Sequence, residues 1–185
     1  MARSFLLFFM AFVSFFTSCK NETSINEDDA SEVIVAHLET NPEYKTTTFK
    51  FGELKFHSRK DRENFNKYEE LAENGFITME LDEQKKVFLS KDSTFVYQVT
   101  LSDKAASLVL EQSKDRATVK AVNYILADDT PVNFVKSNDK TAKATVSLKK
   151  KPTDFYQFMT KDSSSDFITK TYKLKFKKDS GWEVE

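Results

Sequence analysis

The sequence predicts an α+β domain, in which an N-terminal part that mixes helices and strands precedes a C-terminal antiparallel β-sheet. Apolar residues recur at helical spacing over residues 60–74, where Phe65 and Tyr68 fall on one side. Apolar and polar residues alternate over 143–149 and 171–177, as they do in amphipathic strands. Glycine and proline occur three times each, which argues against a small, turn-dense sandwich. Helices and long strands together therefore predict the mixed class.

Two further helices are predicted from capping residues. The first starts at the acidic pair 28–29 and ends by 41–42, where a proline follows an asparagine. The second starts at 102–103 and runs to about Glu111. The remaining strands are expected at 46–56, with a kink at Gly52, at 77–82 and 116–127, and as a hairpin with arms at 86–90 and 95–101.

The N-terminus carries a targeting signal. Residues 5–16 read FLLFFMAFVSFF, and Arg3 supplies a positive charge before them. This run is shorter than the roughly 20 apolar residues that span a bilayer, and it has the form of a signal-peptide core. Cys19 follows directly after Thr17 and Ser18, and it is the only cysteine of the chain. A lone thiol in an exported chain forms no intramolecular disulfide, so modification is the reason we expect for it.

The stretch from Phe16 to Cys19 resembles the lipobox of bacterial lipoproteins, in which small residues precede an essential cysteine. The resemblance implies cleavage before Cys19, a diacylglyceryl group on its sulfur and an acyl group such as palmitate on its amino group. Lys20 stands where an aspartate favours inner-membrane retention in enteric lipoproteins, so the resemblance implies the outer membrane, on its periplasmic or surface face. Residues 1–18 are then the signal peptide, and 19–29 are the lipidated cysteine with an acidic tether.

The mature chain divides into two parts, an α/β part over 30–113 and an antiparallel β part over 114–185. Residues 71–77 and 99–104 resemble the second half of a winged-helix domain, in which a helix, a strand, a returning strand and another helix start follow one another. The helix-turn-helix half has no counterpart, since 45–57 has a strand pattern. The resemblance implies winged-helix-like order in the first part.

The composition and motifs of the chain argue against several classes of function. The precursor has a net charge of −1, which predicts no general affinity for nucleic acid. The chain has two histidines, His37 and His57, and neither stands in a metal-binding or catalytic spacing. No nucleophile motif or phosphate-binding glycine loop occurs. We therefore expect no enzyme, no metal site and no cofactor.

Lysines concentrate in the last quarter of the chain. Residues 134–178 contain twelve lysines and four acidic residues. Five of these lysines are predicted to lie on the polar faces of two strands: Lys143, Lys149, Lys173, Lys175 and Lys177. If the strands pair, the five form a basic patch for an anionic envelope partner, a lipid headgroup or an acidic protein. The simpler explanation is a solvated sheet face on which lysines protect edge strands from wrong pairing.

The function that these patterns favour is a membrane-anchored envelope lipoprotein that acts as a non-enzymatic binding or assembly module. Its partners are the membrane, through the lipid on Cys19, and an anionic envelope component or protein. A small-ligand carrier is the alternative, with an apolar cavity lined by aromatic residues such as Phe155, Tyr156, Phe158 and Trp182. An accessory factor or inhibitor of a hydrolase has the same sequence features as a binding module.

Overall fold

A computed structural model describes residues 23–86, 92–128, 130–160 and 165–185. Within these ranges the chain forms two α-helices, two short 3-10 helices and ten strands. The helices are α1 (Glu27–Thr40) and α2 (Arg62–Glu73). The strands are β1 (Glu43–Lys50), β2 (Gly52–His57), β3 (Ile77–Lys86), β4 (Ser93–Leu101), β5 (Val109–Gln112), β6 (Arg116–Leu126), β7 (Asn133–Asn138), β8 (Thr141–Pro152), β9 (Phe167–Lys177) and β10 (Gly181–Val184). The fold is therefore a mixed α+β fold in which strands predominate, as the sequence predicts.

The strands form two antiparallel sheets. The large sheet has seven strands in the order β1-β6-β8-β9-β10, with β5 paired to β6 and β7 paired to β8. The small sheet has the order β2-β4-β3. One face of the large sheet is covered by α1 over one half, and by α2 with the small sheet over the other half. Its other face carries no helix in the described part of the chain, and we call it the open face.

Gly52 is the point at which the chain passes from one sheet to the other. The sequence predicts one kinked strand over 46–56, whereas the structure has β1 in the large sheet and β2 in the small sheet. Gly52 has a φ of 84°, in the left-handed region that glycine adopts without steric cost. Just before it, the Phe51 amide donates a hydrogen bond of 3.0 Å to the Asp115 carbonyl. The predicted kink is thus a change of sheet.

Helix α1 begins earlier than the sequence predicts. Asn26 caps it, because its side chain accepts a hydrogen bond of 2.8 Å from the Asp29 amide, and the Asp29 carboxylate accepts one from the Asn26 amide. The helix buries Ala30, Ile34 and Leu38 against the large sheet. Ile25 before the cap is buried in the same cluster, with 8% of its surface exposed. Residue 25 therefore already belongs to the folded body.

The hydrophobic cluster beneath α1 is the first of two. The second hydrophobic cluster joins the two sheets through aromatic rings. Phe49 of β1 is fully buried, and its ring lies 5.3 Å from that of Tyr68 on α2. The rings of Phe155 and Phe158 lie 5.1 and 5.0 Å from Phe49, in edge-on contacts. Such pairs add about 0.5–1.5 kcal/mol each to the burial of their area. Phe49 therefore joins α2 to the large sheet.

Strand β6 contributes to both clusters because it contains a β-bulge. Lys45 of β1 pairs with Val122, and Thr46 pairs with Lys120, so Ala121 has no partner on β1. Val119 before the bulge lies in the second cluster, and Val122 after it lies in the first. A strand without a bulge would turn residues 119 and 122 to opposite faces. The extra residue keeps both on the helix-covered face.

The predicted helix from 102–103 to Glu111 is wrong. Ser102 begins only a 3-10 helix, Asp103–Ala105, and β5 follows it. Val109 pairs with Val119, and the Leu108 carbonyl accepts a hydrogen bond of 2.8 Å from the Lys120 amide. Strand pairing with β6 thus overrides the local helix signal, as tertiary contacts commonly do.

The arms of the predicted hairpin differ in length from expectation. The strand expected at 77–82 continues as β3 to Lys86 and pairs with β4 along its whole length. The arm predicted at 86–90 lies mostly outside the described residues, as does the turn residue Lys91.

Across the predicted division at 113–114, β1 pairs with β6 and α1 packs on the large sheet. The first part thus contributes two strands, β1 and β5, to the sheet of the second, and a helix that packs on it.

Candidate functional site

The open face of the large sheet brings together residues from β6, β7, β8, β9 and β10. The register defines its rows, because residues that pair directly across antiparallel strands point to the same face. One row runs from Val135 through Lys143 to Lys173, and another from Ile125 through Lys149 to Phe167. Between them, the Thr145 and Thr171 hydroxyls are hydrogen-bonded at 2.8 Å. Six residues separate the rows along β8, about 20 Å of extended strand.

The structure places all five predicted lysines on this face, but their surroundings differ. Lys177 forms an ion pair with Glu183, and Lys175 lies 3.5 Å from a carboxylate oxygen of Glu185. The hydrogen bond from Lys177 lowers the pKa of Glu183 from its usual value, and one from Ser180 acts in the same direction. These two lysines therefore form a locally balanced group at the β10 end.

Lys143, Lys149 and Lys173 have no acidic partner among the described residues. All three side chains are exposed, and Lys143 stands directly opposite Lys173. Like charges in that arrangement destabilise a sheet, whereas opposite charges there contribute roughly 0.2–1 kcal/mol. We call these three residues the lysine triad. The charges of Lys143 and Lys173 therefore do not stabilise the pairing of β8 with β9.

Protection of an edge strand does not explain two members of the lysine triad. Lys143 and Lys149 lie on β8, which pairs with β9 on one side and with β7 and β6 on the other. Lysines that prevent wrong pairing belong on strands whose backbone groups are free, and those of β8 are paired. Strand β9 pairs with β10 only over residues 174–177, so residues 167–172 form an edge on that side, next to Lys173, whose carbonyl accepts a hydrogen bond of 2.9 Å from the Glu185 amide.

Sequence reasoning missed the apolar residues of the open face. Val135, Phe167 and Ile125 are 57%, 46% and 43% exposed, although the chain buries most other large aliphatic and aromatic side chains. Their signal was present, since Ile125 is out of phase with Val122 and Phe167 is out of phase with Tyr172. An apolar residue out of phase with the core of its own strand points to the solvent face.

The two histidines lie on different elements, and neither belongs to the open face. His37 on α1 contacts the ring of Tyr172 at 5.7 Å. His57 ends β2, and its Nδ1 lies 3.2 Å from the Thr94 hydroxyl. In the part of the chain that the structure describes, no group of three or more histidine, cysteine or acidic side chains is arranged to hold a metal ion.

The aromatic residues proposed for a carrier cavity are divided between the two clusters. Phe155 is fully buried in the second cluster, and Phe158 packs beside it. Tyr156 and Trp182 pack against the first cluster, and the Tyr156 hydroxyl accepts a hydrogen bond of 3.0 Å from Lys150. These side chains fill the core and do not surround a common cavity.

A cleft between α2 and the small sheet was not predicted. It has a volume of about 250 Å³ and is open to solvent. Its apolar wall is formed by Phe56, Phe65 and Tyr97, and its rim carries His57 and Arg62. The Phe65 and Tyr97 rings lie 5.4 Å apart and contact one another. The cleft is thus a shallow gap beside the second cluster.

Three buried polar atoms in the first cluster have no hydrogen-bond partner among the described residues: Tyr124 Oη, Tyr172 Oη and Trp182 Nε1. Burial raises the pKa of Tyr172 to about 12, and the charge of Glu43 acts in the same direction. Tyr68 in the second cluster also has its pKa raised to about 12 by burial, but its hydroxyl donates a hydrogen bond of 2.9 Å to the Lys50 carbonyl. These phenols are neutral at physiological pH.

Cys19 lies outside the described residues. Among those that are described, no helix combines the length and the apolar character needed to cross a bilayer. Comparison with known protein families, with curated proteins and with solved structures gave no match.

Proposed function

We propose that the protein is a lipid-anchored module of the bacterial cell envelope that binds a partner through the open face and catalyses no reaction. The lysine triad carries this proposal, because it places three exposed cations on one face without an acidic partner among the described residues, two of them, Lys143 and Lys173, directly opposite each other. A surface with a binding role accounts for such an arrangement. The proposed location is the outer membrane, on its periplasmic or surface face.

The anchor is supported by the N-terminal sequence and by the start of the folded body. The apolar run at 5–16, the small residues before Cys19 and the absence of any other cysteine support lipid attachment. Residue 25 already belongs to the hydrophobic core. A lipid on Cys19 therefore holds the domain through residues 19–24 alone, a shorter tether than the sequence predicts.

Mass spectrometry of the mature N-terminus, combined with cell fractionation, tests the anchor. We expect the first peptide to begin at Cys19 and to carry the mass of a diacylglyceryl group and an acyl chain, with the protein in the outer-membrane fraction. Two or three acyl chains anchor a protein stably, since each buried CH₂ contributes about 0.8 kcal/mol.

Two variants control the anchor experiment. Cys19→Ser removes the sulfur that takes the lipid, so the protein is expected to leave the membrane fraction. Ser18→Ala keeps a small residue before the cysteine and is expected to behave as the native protein. An unmodified Cys19 on a soluble native protein would contradict the anchor.

A winged-helix-like first part remains a proposal about architecture. It is supported by the order of α2, β3 and β4 and by the strand order β2-β4-β3. No helix-turn-helix accompanies it, because residues 43–50 and 52–57 are strands. Glu63, Glu69, Glu70 and Glu73 on α2 are exposed and oppose phosphate binding. The proposal therefore includes no role in binding DNA.

A further inference from the structure

We propose that the open face lies against the anionic headgroups of the membrane that holds the lipid of Cys19. This inference names the partner of the proposed binding module, and its geometry rests on the proposed anchor. Three features of the molecule support it: the chemistry of the face, the length of the tether, and the position at which the tether joins the folded body.

The chemistry of the open face suits a lipid surface. Val135 lies beside Lys143 in one row, and Ile125 and Phe167 lie on either side of Lys149 in the other. Proteins that lie on membranes place lysines at the phosphates while neighbouring apolar side chains enter the headgroup region. The cations are spread along about 20 Å of strand and surround no groove, which suits an extended anionic surface better than a single small ligand.

The tether keeps the open face near the membrane. Residues 19–24 connect the lipidated cysteine to Ile25, and six residues span at most about 20 Å when fully extended. The electrostatic attraction of an anionic surface decays over about 8 Å at physiological ionic strength. The reach of the tether is more than twice that range, so the tether keeps the domain close enough to meet the surface, and the lysines attract the open face once it comes within range.

The tether joins the body next to the border of the open face. Glu27, Asp28 and Ser31, in the first turns of α1, line a depression together with residues 126–128 and 130–132. That segment connects β6 to β7, and its flanking residues Ile125 and Val135 belong to the open face.

A vesicle-binding assay tests the inference without any lipid anchor. It uses the mature chain from residue 19 with the substitution Cys19→Ser. The folded body starts after that residue, so this chain retains all of it. We expect it to sediment with vesicles that contain phosphatidylglycerol, and not with vesicles of phosphatidylcholine alone, and we expect salt to release it. Because the assay needs no acylation, its failure is distinguishable from failure of the anchor.

Two triple variants with the same change of net charge separate the open face from general electrostatics. Lys143→Glu, Lys149→Glu and Lys173→Glu together should weaken vesicle binding about 100-fold or more, at about fivefold for each lysine. Lys60→Glu, Lys86→Glu and Lys114→Glu together, all exposed and outside the open face, should weaken it only a few-fold. Equal losses in the two variants would overturn the proposal.

A second pair of variants tests the apolar part of the face, and it also covers the case in which a triple variant fails to fold. Val135→Asp should reduce vesicle binding, whereas Leu81→Asp, at a residue of the small sheet that is 52% exposed, should not. Near-UV circular dichroism of each variant verifies the fold. Failure of Val135→Asp to reduce binding would contradict the proposed contact.

Two competitors separate the lipid surface from other anions. Inorganic phosphate at millimolar concentration should not displace the protein from vesicles, because one phosphate engages few of the spread cations. Soluble polyglutamate should bind more weakly than the vesicles do. Tighter binding to polyglutamate would overturn the lipid assignment and indicate an acidic protein as the partner.

Discussion

At the scale of single residues, Gly52 determines how the chain divides between two sheets. Its φ of 84° turns the backbone between β1 and β2, and a Cβ placed there would come no closer than 3.9 Å to the Lys114 carbonyl oxygen. That distance is an ordinary van der Waals contact. The requirement for glycine is therefore conformational and not steric.

Replacement of Gly52 tests this requirement. Gly52→Ala should lower the free energy of unfolding by about 1–2 kcal/mol, the cost of the left-handed conformation for a residue with a Cβ. Gly52→Asn should lose clearly less, because asparagine tolerates that conformation better. Urea unfolding of the two variants measures the difference. An unchanged free energy of unfolding in Gly52→Ala would show that the turn has another conformation in solution.

The lysine triad shows which parts of the site single residues predict. Alternation along β8 and β9 correctly predicts which side of each strand carries lysine, because the side-chain period of a strand is two. It does not predict that Lys143 stands opposite Lys173, since that depends on the register between strands about 30 residues apart. The absence of acidic partners, on which the proposed role depends, is likewise a property of the assembled sheet.

At the scale of elements, the cap of α1 fixes where the tether ends. The reciprocal hydrogen bonds between Asn26 and Asp29 place the first helical residue at Glu27. The sequence analysis predicted a start at 28–29 because aspartate caps helices well, but asparagine caps them equally well. Ile25, the residue before the cap, is buried against the large sheet, and this burial favours Asn26 as the cap.

Loss of this cap should destabilise the protein measurably. Asn26→Ala should lower the free energy of unfolding by about 1 kcal/mol, because the Asp29 amide loses its acceptor. Asn26→Ser supplies another acceptor and should retain most of the stability. Thermal or urea unfolding measures both variants, and equal losses would show that the cap is not formed.

Element prediction succeeded where a pattern was long and failed where pairing decided the outcome. Helix α2 and strand β6 lie close to the predicted bounds of 60–74 and 116–127, whereas β8 and β9 extend beyond the alternation predicted at 143–149 and 171–177. The four residues of β5 are too few for alternation to distinguish a strand from a helix. Pairing with β6, which sequence does not reveal, made them a strand.

At the scale of the whole molecule, the two clusters lie on one continuous sheet and should unfold together. Phe49 lies at the centre of the second cluster, whereas Trp182, the only tryptophan, packs against the first. Because β6 contributes to both clusters, loss of one cluster weakens the strand that supports the other. A change at Phe49 should therefore be detected by the fluorescence of Trp182.

Phe49→Ala tests this coupling. It should lower the free energy of unfolding by about 3–5 kcal/mol, as large truncations in a core do. The transitions followed by Trp182 fluorescence and by far-UV circular dichroism should shift together, as they do in two-state unfolding. Phe167→Ala, at a ring that is 46% exposed, serves as the control and should cost no more than about 0.5 kcal/mol. Separate transitions in Phe49→Ala would show two independent units.

Because of the bulge at Ala121, β6 can accept another type of residue at this position, but it cannot accept a change in chain length. Substitution of Ala121 by another small residue leaves the phase of the strand intact, but removal of one residue between 119 and 122 inverts everything that follows. Val122 and Tyr124 would then face solvent, and Asn123 and Ile125 would face α1. A single-codon deletion here would thus exchange the core of one half of the sheet with its exposed side, while the other half kept its packing.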